Sequence, residues 1–421
     1  MEIKKKIDKN RQKLIQEGIL NPKYSPKAIL LDFPIKAKDG FDDPGFYTVS
    51  SYTDHDTLYP NELKDYNCGE LTYDTGDGYN HEGTDFLLWP FPWYKMDNDE
   101  VEVVAAAPGI ILYKQDGNFD RNCDGEDQPW NAVFIQHSNG YVTWYGHLKS
   151  GSLTEKFVGE EVETGEYLGV VGSSGISFWP HLHFEVHDEN DNIVDPYLGS
   201  CNPTIDESLW LDQKPYLDAG INKITTNSTL AVTPDCPQQE ILNESSTFSG
   251  NDTIFLLIYF RNLSNGDNVN ITITRPDNSI HSQWVWENNH PFYIASWNYW
   301  FLILKDEQDG LWKFEASYNN EVYSHEFQYT NAAFIKENEI QNLSLYPNPV
   351  SDKTWISIPV PLSGNYQFQI NNITGQKINL IPELNKNGKS LFLNCGNLAN
   401  GVYIISIEDR GRNYRGRFIK R

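Results

Sequence analysis

Apolar and polar residues alternate through much of this chain, and a period of two predicts β-strands that bury one face. The clearest case is the stretch His181–Val186 (HLHFEV), in which three apolar residues alternate with two histidines and a glutamate. Because side chains two positions apart share one face of a strand, His181 and His183 are predicted to point to the same side. Taken alone, an HxH pair more often marks an exposed strand face than a metal site.

Alternation and turn residues predict further strands, whereas helix signals are scarce. Residues 3–17 predict a short, charged and poorly anchored helix or a frayed tail. The fold class predicted from this pattern is all-β and mainly antiparallel. Two strand pairs are predicted near the histidines: Val101–Ala107 with Gly109–Tyr113, broken at Pro108-Gly109, and Ala132–His137 with Tyr141–Tyr145 around Ser138-Asn139-Gly140.

The length of 421 residues allows about two to four domains, each with its own core. Regular short strands and Asn-Gly or Asp-Asn turns in residues 219–335 predict a β-sandwich. We expect core packing more than glycan binding from its tryptophans, which are Trp284, Trp286, Trp297, Trp300 and Trp312. The predicted units are an N-terminal lead segment at 1–64, a compact β-sheet domain at 65–200, a linker at 201–218, the β-sandwich at 219–335 and a second β-sandwich at 336–421.

Charge and hydropathy exclude two classes of protein. The net charge of −25 at pH 7 argues against nucleic-acid binding, because phosphates would be repelled. We interpret the acidity mainly as a source of solubility. The chain contains no run of about eighteen apolar residues, so the sequence predicts no transmembrane segment.

Three upstream features change the interpretation of the HxH strand. His81 and Asp85 lie four residues apart, Val142–Leu148 is a second alternating strand that contains His147, and Gly172-Ser173-Ser174-Gly175 is a turn that leads into HxH. One aspartate and four histidines offer the oxygen and nitrogen ligands that Zn²⁺ prefers. If only three of them bind, a coordination position stays open, which is typical of a catalytic zinc site.

These motifs resemble those of the lysostaphin/LytM-type zinc metallopeptidases, which cut peptide bonds in peptidoglycan. Each motif alone is weak, but four of them in the family's order make a specific match. The matching stretches are His81-x-x-x-Asp85, Gly140-Tyr141-Val142-Thr143-Trp144-Tyr145-Gly146-His147-Leu148, Gly172-Ser173-Ser174-Gly175 and Pro180-His181-Leu182-His183-Phe184-Glu185. Residues 65–200 would then be the peptidase domain.

The resemblance also implies a role for each residue. His81, Asp85 and His183 would bind Zn²⁺, while His147 and His181 would face the metal-bound water. Zinc lowers the pKa of such a water to roughly 7. His181 is then the expected general base, and His147 is expected to hydrogen-bond the oxyanion or to protonate the leaving amine. The division of these tasks between the two histidines stays open.

The chain departs from the family's pattern by an insertion at Leu87–Asn98 (LLWPFPWYKMDN), which lengthens the loop after Asp85. Two alternatives carry equal weight. The aromatic side chains of the insertion could wall a substrate groove, or they could pack beneath their own loop. The residues concerned are Trp89, Phe91, Trp93 and Tyr94.

A second candidate cation site is calcium. Asp120-x-Asn122-x-Asp124-Gly125 matches the start of an EF-hand loop, where hard oxygen ligands bind Ca²⁺. The twelfth position is Asn131 instead of glutamate, and no flanking helices are evident. A structural Ca²⁺ is therefore weighed against the simpler interpretation of an acidic hairpin loop.

The five cysteines show no CxxC spacing, which argues against a cysteine-bound zinc. In an oxidising compartment, we expect Cys68 to pair with Cys123 and Cys201 to pair with Cys236. Cys395 would then remain as the unpaired thiol.

The last eighty or so residues resemble the C-terminal sorting domain of the type IX secretion system in Bacteroidota. The resemblance implies a small β-sandwich that the export machinery reads, and hence a secreted or cell-surface protein. Export by this route begins in the periplasm, yet the first residues lack the apolar region of a signal peptide. We therefore expect a signal segment upstream or already removed. The matching stretches are Leu343-Ser344-Leu345-Tyr346-Pro347-Asn348-Pro349, Asn372-Ile373-Thr374-Gly375-Gln376-Lys377, Leu398-Ala399-Asn400-Gly401-Val402-Tyr403 and Arg415-Gly416-Arg417-Phe418-Ile419-Lys420-Arg421.

The predicted function is a secreted zinc endopeptidase that hydrolyses peptide cross-links of peptidoglycan. Its expected partners are stem or cross-bridge peptides and the type IX secretion machinery. One alternative is a non-catalytic protein that binds the wall or activates an amidase, against which the complete set of motif residues speaks. Another is a zinc peptidase that acts on glycine-rich proteins, for which the aromatic loop at 87–94 would set the pocket size.

Overall fold

The computed structural model describes residues 2–24, 29–232, 240–331, 340–363, 366–386, 388–409 and 412–421. Strands dominate, and most strand pairs are antiparallel. The all-β fold class predicted from the sequence is confirmed. Of the two α-helices in the described residues, neither is long and apolar enough to span a lipid bilayer.

The elements group along the chain in three sets. The first set is α1 (Glu2–Gln16), β1 (Ile35–Ala37), β2 (Tyr47–Ser51), β3 (Thr84–Leu88), α2 (Pro92–Asp97), β4 (Val101–Val104), β5 (Gly109–Gln115), β6 (Ala132–Gln136), β7 (Val142–Gly146), β8 (Glu161–Val162), β9 (Tyr167–Val170) and β10 (His181–His187). The second set is β11 (Gly220–Asn227), β12 (Thr247–Ser249), β13 (Thr253–Leu263), β14 (Asn268–Thr274), β15 (Ile280–Glu287), β16 (Tyr293–Ile303), β17 (Gly310–Tyr318) and β18 (Glu321–Thr330). The third set is β19 (Ile340–Asn342), β20 (Ser344–Tyr346), β21 (Lys353–Ser357), β22 (Gln367–Asn372), β23 (Lys377–Ile378), β24 (Glu383–Leu384), β25 (Ser390–Asn394), β26 (Gly401–Asp409) and β27 (Arg412–Lys420).

The histidine motifs lie in a seven-stranded sheet of order β2-β3-β10-β7-β6-β5-β8. The predicted hairpin of β6 and β7 is confirmed. β10 is the predicted HxH strand, and its apolar residues Leu182, Phe184 and Val186 point into a core that also contains Val101 and Val103 of β4. The hydrophobic core therefore lies between this sheet and a second, three-stranded sheet of order β1-β4-β9.

The predicted pairing of Val101–Ala107 with Gly109–Tyr113 is wrong. β4 pairs with β1 and β9, whereas β5 pairs with β6 and β8. The buried residues Ala105–Ala107 carry the chain from one sheet to the other. Alternation marks each strand but does not state which neighbour it pairs with, so a crossing between two packed sheets resembles a hairpin in the sequence.

Helix α1 packs on the face of the seven-stranded sheet that is opposite to this core. Ile7 and Leu14 are 5% and 2% exposed and belong to a second apolar cluster with Trp144 of β7. The Asn10 side-chain amide donates to the Leu112 carbonyl at 3.0 Å. The expectation of a poorly anchored helix is therefore wrong, because the helix buries an apolar stripe and hydrogen-bonds to the sheet.

The second and third sets of strands each form two packed sheets around a core of their own. The sheet orders are β11-β13-β16 with β12-β18-β17-β14-β15, and β19-β27-β26-β22-β23 with β20-β21-β25-β24. Both predicted β-sandwiches are thus observed. In the first sandwich Trp312 is fully buried, whereas Trp297 is 40% exposed.

The disulfide pattern differs from the prediction. Cys68 bonds to Cys201, with 5.2 Å between their Cα atoms, so neither predicted pair forms. Cys236 lies outside the described residues. The two bonded cysteines are brought together because the chain after β10 returns beside the segment that holds Cys68, where the Cys201 amide donates to the Tyr66 carbonyl at 2.9 Å. Cys395 is free, as predicted, and is buried in the last sandwich.

Candidate metal centre

Strand register places the first two candidate ligands side by side. β10 pairs with β3 so that His183 stands opposite Asp85, and the His183 Nδ1 atom is 2.8 Å from the Asp85 Oδ1 atom. His81 lies shortly before β3. Its Nε2 atom is 3.2 Å from Asp85 Oδ2 and 3.2 Å from His183 Nδ1. One ligand atom from each of the three residues lies within 4.8 Å of the others. All three side chains are buried.

A second layer of contacts fixes which nitrogen of each imidazole faces the centre. The His81 Nδ1–H group donates to the Tyr52 carbonyl at 2.7 Å, because a carbonyl can only accept. His183 Nε2 is 2.8 Å from the Glu185 carboxylate. The remaining nitrogens, His81 Nε2 and His183 Nδ1, both point toward Asp85. The donor set fits a divalent metal such as zinc, since two imidazole lone pairs and one carboxylate converge and both rings are oriented from behind.

Electrostatics at this position favours positive charge. Burial alone would raise the pKa of Asp85, but the charges of His81 and His181 and hydrogen bonds from His183 and His81 lower it well below its usual range. Burial alone would lower the pKa of His183, but Asp85 and Glu185 raise it to about 10. A metal ion bound at the same nitrogen would take the place of that proton.

The other two candidate histidines face the same place, His147 from the residue that follows β7 and His181 from the start of β10. The rings of His147 and His181 are 4.4 Å apart, and His181 Nε2 is 3.6 Å from Asp85 Oδ1. The Nδ1–H groups donate to carbonyls, that of His147 to Ser174 at 2.5 Å and that of His181 to Trp179 at 2.7 Å. Burial lowers the pKa of both histidines, so both are neutral at pH 7 with Nε2 as a proton acceptor.

The predicted glycine-serine turn supplies one of these orienting carbonyls. Gly175 has a φ of 79°, and a Cβ atom there would stand 2.7 Å from the Cβ atom of Trp130. Only glycine fits such a left-handed, crowded position. The turn therefore brings the Ser174 carbonyl against His147, and all five predicted site residues meet at one point.

An open groove of about 1000 Å³ lies beside the centre and is lined by His147, His183 and Glu185. Sequence reasoning missed its aromatic walls. Tyr73 stacks on His81 with 4.4 Å between ring centroids, and Trp130 contacts His147 edge-on at 5.4 Å. Neither residue belongs to a motif, so no local signal marked them. Their position makes them candidates for holding a substrate chain against the metal centre.

Sequence reasoning also missed a chain of ion pairs that runs from the centre to helix α1. The Glu185 carboxylate contacts His187 at 2.6 Å, His187 contacts Asp191 at 3.2 Å, and Asp191 contacts Lys4 at 2.7 Å. Hydrogen bonds from His183 and His187 outweigh the effect of burial and lower the pKa of Glu185 to about 2. The sequence did contain a signal for the first of these pairs, because Glu185 and His187 continue the alternation of polar residues that begins at the HxH pair.

The insertion after Asp85 lies away from the groove. Phe91 and Trp93 are each 3% exposed, and residues 92–97 form the short helix α2 instead of a loop. The Trp89 indole N–H donates to the Phe260 carbonyl at 3.0 Å, and Phe91 packs on Tyr259 at 5.0 Å. Trp89 and Phe91 thus pack against the neighbouring sandwich instead of beneath their own loop, Trp93 is buried, and Tyr94 is 36% exposed.

The calcium prediction is not supported. Asp120 Oδ2 accepts from the Ser150 amide at 2.7 Å, and Asp124 Oδ1 accepts from the Glu126 amide at 3.3 Å. The Asn122 amide group donates to the carbonyls of Glu126 and Gly175. These side chains hold the loop closed against the Gly175 turn, and the protein groups themselves use the oxygens that an EF-hand would direct at an ion. Within the described ranges, the His81, Asp85 and His183 group is the one with metal-ligand spacing.

Comparison with known proteins adds two family matches. Residues 80–196 match the model of peptidase family M23, and residues 344–421 match the secretion system C-terminal sorting domain. The chain is 33% identical over 121 residues to the DD-carboxypeptidase/endopeptidase Mpg of Neisseria meningitidis serogroup B, which covers 28% of this chain and 25% of that protein. It is 31% identical over 111 residues to the peptidoglycan DD-endopeptidase ShyC of Vibrio cholerae, covering 26% and 21%.

The match thus spans about a quarter of the relatives' own length. Among solved structures, dimeric latent PorU from Porphyromonas gingivalis aligns over 92% of this chain and 33% of its own. Its TM-score of 0.20 and its 12% identity are too low to indicate a shared fold. The two family matches, at residues 80–196 and 344–421, contain the metal centre and the last sandwich. This chain therefore carries a peptidase family M23 domain at residues 80–196 and a C-terminal sorting domain at residues 344–421.

Proposed function

We propose that this protein is an exported zinc endopeptidase that hydrolyses peptide bonds in the cross-links of peptidoglycan. The observation that carries the proposal is the convergence of three donor atoms from His81, Asp85 and His183 within 4.8 Å, with both imidazoles oriented from behind. His81 Nε2, His183 Nδ1 and the Asp85 carboxylate would hold the ion. Bound there, zinc would supply Lewis-acid polarisation of the scissile carbonyl and would make a water more acidic.

The chain's own residues supply the proton transfers. His181 and His147 both offer an unprotonated Nε2 because their Nδ1–H groups donate to carbonyls. We assign the general base to His181, since its Nε2 lies 3.6 Å from Asp85 Oδ1 and the carboxylate stabilises the imidazolium that forms. His147 then hydrogen-bonds the oxyanion or passes a proton to the leaving amine.

The groove supports a peptide chain as substrate. Its volume of about 1000 Å³ is large enough for an extended polymer segment. The ring of Tyr73 contacts His81, and the ring of Trp130 contacts His147. Two relatives with endopeptidase names, Mpg and ShyC, are 33% and 31% identical to this chain over 121 and 111 residues, and the peptidase family M23 match covers the region that carries the centre. The sorting domain supports export by the type IX secretion machinery to the cell surface or the medium.

The test measures metal and product together. Purified protein and the variant His183→Ala are analysed for bound zinc and are incubated with peptidoglycan, and the released fragments are identified by mass spectrometry. We expect about one zinc per chain and the release of uncross-linked peptides, with both lost in the variant. The matched control is His290→Ala, which removes an exposed histidine of the middle sandwich and should change neither result.

Three outcomes would overturn the proposal in different ways. Absence of zinc in the unaltered protein would exclude a zinc peptidase. Zinc without any release from peptidoglycan, combined with cleavage of a glycine-rich protein, would move the substrate from the cell wall to proteins. Binding to the wall with no cleavage of either substrate would favour a non-catalytic role.

A further inference from the structure

An exposed row of aromatic side chains crosses the middle sandwich beside the peptidase domain. We propose that Trp297, Tyr299 and Phe301, called here the aromatic row, bind the glycan strand of peptidoglycan next to the site that cuts its peptides. These side chains of β16 are 40%, 42% and 70% exposed. The inference rests on the proposed function, because a glycan strand is the polymer to which the cleaved peptides are attached.

Strand register explains why these rings share one surface. β16 pairs with β13 so that Trp297 stands opposite Tyr259 and Tyr299 stands opposite Leu257. Trp297 and Tyr299 lie 5.8 Å apart at an angle of 30° between their rings, and Tyr259 and Trp297 lie 6.4 Å apart, also at 30°. These contacts place the exposed rings of Trp297 and Tyr299 next to each other on one face of the sheet, with the buried ring of Tyr259 beside them.

The same sheet face changes from covered to open along its width. Over β13 it is covered by the insertion after Asp85, where Phe91, Leu257 and Tyr259 form a buried cluster. Over β16 it is open, and β16 is the terminal strand in the order of this sheet. Contiguous exposed apolar surface on a soluble protein is characteristic of a binding site.

A cavity links the aromatic row to a residue next to the metal centre. A small, almost wholly apolar cavity of about 120 Å³ is lined by Trp297 and Tyr259 of the sandwich, by Trp179 and by Trp89 and Phe91 of the insertion after Asp85. Trp179 is 42% exposed, and its carbonyl accepts the Nδ1–H group of His181 at 2.7 Å. One residue thus contributes its ring to the aromatic surface and its backbone to the orientation of a catalytic-site histidine. A polymer bound along the row would reach the centre at Trp179.

The chemistry of the row favours an uncharged sugar polymer. β16, from Tyr293 to Ile303, contains no acidic or basic residue, so ionic recognition of a partner has no basis here. Aromatic faces pack well against the C–H faces of sugar rings, and tyrosine adds a polar tip. At about 3.3 Å per residue, Trp297 to Ile303 spans about 20 Å, which suits several sugar units rather than one.

The test uses a soluble oligosaccharide so that binding is measured apart from hydrolysis. Tetra-N-acetylchitotetraose is titrated into the full chain and into Asp85→Ala, and binding is followed by calorimetry. We expect equal binding by both, and at least a tenfold loss of affinity in the double variant Tyr299→Ala/Phe301→Ala. Phe157→Ala removes a side chain that is 74% exposed elsewhere on the molecule and serves as the matched control. Circular dichroism spectra establish that each variant is folded.

Activity on two substrates separates this inference from the proposed function. The double variant should cleave a short cross-link peptide at the normal rate but should release fragments from intact sacculi more slowly. Unchanged sugar affinity in a folded double variant would overturn the inference while leaving the peptidase proposal intact. Sugar binding by a protein without any peptidase activity would overturn the peptidase proposal while leaving the binding surface intact. A dimer seen by light scattering that the double variant abolishes, with no sugar binding, would assign the row to a second copy of the chain and overturn the glycan assignment.

Discussion

The two faces of β10 are equally buried and are stabilised in opposite ways. On one face, Leu182 and Phe184 are at most 1% exposed and contact other apolar side chains. On the other face, His183, Glu185 and His187 are 4%, 5% and 1% exposed, and each has hydrogen-bonded or ionic partners. Buried charges are costly unless every one is paired, so this face depends on complete pairing, whereas the other depends on apolar packing.

Two histidines show how strongly the surroundings of a buried imidazole set its pKa. His137 lies on the apolar side of the same sheet, where its nitrogens contact the Pro108 carbonyl and the Thr143 hydroxyl at 2.9 Å each. Burial lowers its pKa to about 4. His183 is as deeply buried, but two carboxylates raise its pKa to about 10. The same side chain is thus a neutral structural group on one face and a cation-favouring group on the other.

The largest effect in this comparison should come from the apolar face. Phe184→Ala removes a buried ring from the core and leaves a cavity, which should lower the free energy of unfolding of the peptidase domain by about 3–5 kcal/mol. Calorimetry of the full chain would measure this as a lower melting temperature of one transition. Phe157→Ala, on the surface, should leave that transition in place. A melting temperature for Phe184→Ala equal to that of the unaltered protein would contradict the account of the core.

Acidification should act through His137. Its folded-state pKa of about 4 lies below its ordinary value of 6.5, so the unfolded chain binds the proton more readily between these values. Its contribution to stability is full above about pH 6.5 and is lost as the pH falls toward 4, by up to about 3 kcal/mol. Melting temperatures at pH 7, 5 and 4 should fall less steeply in His137→Gln. Parallel curves for the two proteins would refute this contribution.

On the polar face, Glu185→Gln should weaken metal binding without unfolding the domain. The carboxylate orients His183 through its Nε2 atom, and loss of such a partner typically lowers metal affinity by about 10- to 100-fold. Competition with a zinc chelator would measure the change. Glu189→Gln, an exposed position four residues along the chain, is the control and should bind zinc normally. Equal affinities in both variants would show that His183 does not depend on Glu185.

The smallest effect should appear at the outer end of the ion-pair chain. Lys4 contacts Asp191 at 2.7 Å, but the lysine and aspartate side chains are 55% and 42% exposed. An ion pair this exposed contributes less than about 1 kcal/mol, and salt screens it. Lys4→Ala should therefore change the melting temperature little more than Lys5→Ala does, and the difference should vanish in high salt. A larger drop would mean that α1 depends on this pair and not on Ile7 and Leu14.

Features encoded within a few neighbouring residues were predictable. The alternation from His181 to Val186 gave the strand and the shared direction of the two histidines, and the β6–β7 hairpin followed from its Asn-Gly turn. The burial of Glu185 continued the same alternation. Trp130 and Tyr73 were not predictable, because they reach the centre from loops whose path no local pattern records.

The sequence by itself determined the residue types of the candidate centre, the strand that carries the HxH pair and the two family regions, since each depends on residue types at short, fixed spacings. Only the tertiary structure decided that Cys68 meets Cys201, that β4 and β5 lie in different sheets, and that Trp179 joins the centre to the aromatic row. These outcomes depend on contacts between residues far apart in the chain. Such contacts are selected by the packing of whole sheets, which no short stretch of sequence specifies.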